Sequence, residues 1–67
     1  MKVKVETEVE LIQKFVIRGV VVRPNGRKEV VAESDYTTIP PMHEDVARFL
    51  VKHPEVTFAV VESVYMI

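Results

Sequence analysis

Lys14-Phe15-Val16-Ile17-Arg18-Gly19-Val20-Val21-Val22-Arg23-Pro24-Asn25-Gly26-Arg27 is the stretch on which the fold turns. From Lys14 to Arg23 it is apolar on both alternating sets of positions and rich in β-branched residues. Such residues lose side-chain freedom in a helix and pack well on a pleated sheet, so this is a strand covered on both faces. Gly19 inside the run marks a bulge. Pro24-Asn25-Gly26 then supplies a tight turn, because proline presets one dihedral and Asn-Gly accepts the positive φ that hairpins need. Arg27 to Asp35 is expected to return antiparallel.

Upstream, Lys2 to Val9 alternates strictly, with Val3, Val5, Thr7 and Val9 on one face and charges on the other, which reads as a half-buried strand. Lys2 to Arg23 is too long for one ordinary strand, so the chain is expected to bend between Glu10 and Lys14. A short helical turn, a bulged continuation and a strand exchanged between subunits all fit that link.

Downstream, Thr37-Thr38-Ile39-Pro40-Pro41 breaks the strand and leads into a helix predicted from about Pro41 to His53, with proline tolerated in the first turn. Met42, Val46, Phe49, Leu50 and His53 form one stripe at helical spacing. His43, Glu44, Asp45, Arg48 and Lys52 lie opposite, with Glu44 and Arg48 four apart. Acids in the first turn and Lys52 and His53 in the last complement the helix dipole, and Pro54 forbids continuation. Glu55 to Ile67 is the last strand. Val56, Phe58, Val60, Val64 and Met66 fall on one face, and Ala59, Val61, Tyr65 and Ile67 on the other.

These elements give an α+β class: a small antiparallel sheet of three to four strands with one helix packed on one face, in the order β-β-β-α-β, as a single domain over 1–67. One helix covers one face, so the face bearing Ala59, Val61 and Tyr65 is expected to need other cover. A homodimer is the simplest supply, by sheet stacking or edge pairing. Ala59, Val61, Tyr65, Ile67 and Tyr36 are the candidate dimer or partner surface, since tyrosine joins an apolar ring to a polar tip.

The 67 residues contain no cysteine, which excludes disulfides and thiolate sites. No apolar run approaches the length of a membrane span, so no membrane association is expected. The alternating N-terminus lacks the apolar core of a signal peptide, so a cytoplasmic location is expected. The net charge is −1, yet Lys14, Arg18, Arg23, Arg27 and Lys28 stand in an acid-free segment. Arg23, Asn25, Arg27 and Lys28 at the hairpin tip are therefore candidate nucleic-acid contacts, and weak nucleic-acid binding is the alternative function. The competing reading is a solvated hairpin whose basic residues block edge aggregation.

His43 and His53 lie about 280° apart around the helix and cannot share a metal there. Ser34 and Ser63 lack a partner motif, and nothing resembles a phosphate loop. No cofactor, metal site or catalytic residue is expected, and the chain is read as not an enzyme.

Tyr36-Thr37-Thr38, a helix with Ala47, Phe49 and Leu50, then His53-Pro54-Glu55 and Phe58-Ala59-Val60-Val61-Glu62 resemble small accessory proteins of tailed phages. The resemblance covers about half the chain and implies a protein-interaction module, of the sort that binds or inhibits a host enzyme.

Overall fold

The computed structural model describes residues 10–66, and the expected strand Lys2–Val9 lies outside them. Three strands and one helix follow in the order β1 (Ile12–Val22), β2 (Lys28–Glu33), α1 (His43–Lys52) and β3 (Phe58–Met66). The sheet is antiparallel with spatial order β2-β1-β3, so the long apolar strand occupies the centre. This is the small α+β arrangement expected from the alternation patterns, with the long strand β1, apolar on both faces, in the middle.

The turn at Pro24-Asn25-Gly26 closes the β1–β2 hairpin. Gly26 adopts φ 84°, and its N–H donates to the Arg23 carbonyl at 2.8 Å. The Asn25 side-chain oxygen accepts the Arg27 N–H at 2.9 Å, the side-chain-to-backbone bond that favours asparagine in turns. The register of the hairpin shifts at Gly19/Val20, leaving Val31 as the extra residue, so the expected bulge is present. The link at Glu10 to Lys14 is no helical turn: β1 is already extended from Ile12.

Glycine at 19 serves a second purpose. A Cβ there would stand 2.6 Å from a Val56 methyl and 3.1 Å from the Phe49 ring. The helix and the turn after it therefore descend onto the sheet at a notch that only glycine leaves open. Gly19 pairs with Ala59 and Ile17 with Val61, and side chains of directly paired residues share a face, so α1 sits on the face that carries Ala59, Val61 and Tyr65. This reverses the expected placement of the helix. Periodicity gives two apolar faces to β3 and does not say which one the helix takes; the Gly19 notch decides. Val56, expected to share a face with Phe58, lies before β3 and packs into the notch on the helix side.

The helix starts at His43, with Met42 as N-cap and Pro41 just before it, two residues later than expected. Asp45 accepts the Met42 N–H at 2.8 Å, occupying one of the donors a helix start leaves unpaired. At the other end the His53 N–H reaches the Phe49 and Leu50 carbonyls, and Pro54 stops the chain. Arg48 pairs with Asp45 at 3.7 Å, three residues back, instead of with Glu44. Of the expected stripe, Phe49 is buried and Val46 and His53 are half-buried, but Met42 and Leu50 are exposed. Only the Phe49 turn reaches the notch, so the stripe is longer than the contact it makes.

Candidate interaction surface

Among the described residues the buried apolar core is small: Val16, Ile17, Val20 and Phe49. Thirteen large apolar side chains stay exposed, among them Val51 at 80%, Met42 at 72% and Tyr65 at 65%. Of the candidate surface, Val61 is 46% exposed and Ala59 is half-buried under the helix side. Ile67 lies outside the described residues.

Tyr36 does not join Ala59, Val61 and Tyr65. Its hydroxyl accepts a hydrogen bond from Arg18 at 3.5 Å, and Arg18 lies on the helix-free face with Val60 and Glu62. The four described candidates are thus divided between two faces, since the Phe15–Thr37 bridge turns the preceding Tyr36 to the side away from the helix.

The pairing of Arg18 with Glu62 is not among the sites expected from the sequence. Arg18 is the one charge inside the apolar core of β1, and Glu62 is the one charge of β3. Arg18 Nη1 donates to Glu62 Oε2 across the β1–β3 ladder, while its Nε lies 3.3 Å from Glu33 Oε1 on β2. That second approach lacks hydrogen-bond geometry, so the buried Nε is attracted to Glu33 without a directed bond. The Tyr36 hydrogen bond, with support from Glu62 and Glu33, holds the guanidinium above its ordinary pKa against a smaller opposing effect of desolvation. A single cation thereby ties all three strands together. A single cation within the apolar run Phe15–Val22 and the single acid of β3 were the legible signal.

The basic segment is also partnered. Arg23 donates to Glu29 at 2.9 Å, Arg27 stands 3.7 Å from the same carboxylate, and Lys28 lies 6.0 Å from the Phe58 ring centre. Three of the five cations thus meet acids supplied by β2 and β3. Glu29, just beyond the acid-free run, meets Arg23 and Arg27 within the hairpin, and the more distant Glu33 and Glu62 meet Arg18.

A groove of about 550 Å³ runs between α1 and the segment after β2. Glu33 and Asp35 line one side, Arg48 and Lys52 the other, with Ile17 and Phe49 at the base. Among the described residues no three His, Asp or Glu side chains are placed to hold a metal, and no helix is long and apolar enough to cross a membrane. No known family, curated protein or solved structure matches this chain.

Proposed function

We propose that this chain is a non-enzymatic protein-interaction module that works as a homodimer, with β3 as the interface. The observation that supports this is that, among the described residues, four apolar side chains are buried while thirteen large ones are exposed. A small chain with that much apolar side chain in contact with water gains stability from a partner. Val61 and Tyr65 extend that surface along β3 beyond the reach of the helix. With β3 occupied by the second copy, the exposed Ile39, Met42 and Val51 around α1 remain to bind another protein, in keeping with the resemblance to phage accessory proteins that act on a host protein.

Sedimentation equilibrium of the unaltered chain beside Val61→Lys and Tyr65→Lys tests this. The unaltered chain is expected at twice its 7.7 kDa mass, and both folded variants at the single-chain mass. Variants that keep the mass of the unaltered chain overturn the interface.

A further inference from the structure

Resting on the homodimer just proposed, we infer that the two copies join edge to edge through β3, antiparallel, about a two-fold axis at Ser63, into one continuous six-stranded sheet.

The first ground is which edge is open. Phe15 and Thr37 exchange backbone hydrogen bonds at 2.7 and 3.0 Å, and the Ser34 N–H donates to the Ile17 carbonyl at 2.9 Å. Phe15 and Ile17 therefore turn their backbone groups toward the β2 side, and the alternation of a strand turns those of Val16 and Arg18 toward β3. Their partners Glu62 and Val60 answer them. The N–H and C=O groups of Val61, Ser63 and Tyr65 consequently face outward, and among the described residues no strand pairs with that edge.

The second ground is charge. Unpaired strand edges invite pairing, and proteins block them with charged residues. β2 carries Lys28, Glu29 and Glu33 among six residues. β3 carries Glu62 alone among nine, and Arg18 of the same chain neutralises it. Among the described residues the β3 edge carries no protecting charge of its own, and the opposite edge, which would flank a six-stranded sheet at both ends, is well protected. A second copy of β3 fits a nearly uncharged edge better than an acidic or basic segment does.

The register follows from the same alternation. Outward-facing residues must meet outward-facing residues, which places the axis at Val61, Glu62 or Ser63. An axis at Glu62 sets two carboxylates directly opposite each other, which is unfavourable. An axis at Val61 pairs Ala59 with Ser63 and leaves Tyr65 beyond the β3–β3 overlap. An axis at Ser63 sets each Val61 against the partner's Tyr65, two aromatic-to-β-branched pairs on one face, with about six main-chain hydrogen bonds.

Amide hydrogen exchange at high and low protein concentration tests the edge. The Val61, Ser63 and Tyr65 amides are expected to exchange at least about tenfold more slowly in the concentrated sample, whereas Val60 and Glu62, bonded to β1, stay protected in both. A dimer whose Val61, Ser63 and Tyr65 amides exchange equally fast at both concentrations overturns edge pairing and leaves the homodimer standing. A single-chain mass at every concentration overturns both. Because the chain has no cysteine, Ser63→Cys reports the axis alone: oxidation is expected to link two chains through it. Faster linkage of Val61→Cys than of Ser63→Cys overturns the Ser63 register.

Discussion

Arg18 and Glu62 face each other across the β1–β3 ladder, so the one acid of β3 is neutralised inside its own chain. That relationship makes the central strand a charge anchor and, among the described residues, leaves the outer strand β3 without a net charge of its own. Replacing Arg18 by Gln is expected to lower the thermal midpoint and, by freeing Glu62, to weaken self-association. Arg18→Gln with Glu62→Gln is expected to recover the self-association and only part of the midpoint, read by thermal denaturation and solution mass.

The same anchor sets a pH expectation. The Tyr36 hydrogen bond, then Glu62 and Glu33, raise the Arg18 pKa above its ordinary value. A folded-state pKa raised above the unfolded value contributes stability that is complete below the unfolded pKa and lost only as pH rises through the folded one. The contribution of Arg18 is therefore constant across neutral pH. Comparing the unaltered chain with Arg18→Gln between about pH 6 and pH 9 is expected to give a midpoint difference without slope, and a slope would contradict the assignment.

Gly19 is expected to tolerate no side chain. Gly19→Ala places a methyl group against Val56 and Phe49 and is expected to cost about 1–3 kcal/mol, the range for overpacking. Val56→Ala in the same chain is expected to return part of it. Chemical denaturation of the two single variants and the double variant checks this, and simple additivity would place the helix elsewhere.

Phe49 is the helix's one buried residue. Phe49→Ala is expected to cost about 3 kcal/mol or more, enough to abolish a cooperative transition in a core of this size. Val51→Ala, on the outward side of α1, is expected to leave the midpoint within about 0.5 kcal/mol. Circular dichroism during heating separates the two.

Much of this architecture was legible because each element announces itself locally. Pro24-Asn25-Gly26 makes its turn, Gly19 its bulge, and Pro54 ends the helix, all through backbone restrictions that act within a few residues. What was not legible depends on residues far apart in the chain. The helix chose the Ala59 face because the notch at Gly19 becomes a notch only when Gly19 lies beside Ala59. Tyr36 left the expected surface because a bridge at Phe15–Thr37 fixed its direction. Arg18 in the acid-free run meets Glu33 and Glu62 for the same reason, whereas Glu29, which meets Arg23 and Arg27, stands right beside the run.

The basic hairpin accordingly has a defined expectation. With Glu29 holding Arg23 and Arg27, the chain is expected to show no retention of DNA or RNA in a low-salt gel shift. Binding that weakens steeply with salt and vanishes when Arg23, Arg27 and Lys28 become alanine would show that Glu29 releases them to phosphate.

The most direct test of the central claim is solution mass by light scattering over a dilution series of the unaltered chain. The unaltered chain is expected at twice 7.7 kDa at about 100 μM, with a reversible fall toward 7.7 kDa on dilution. A mass of 7.7 kDa throughout would contradict it and leave β3 without the second copy on which the proposal stands.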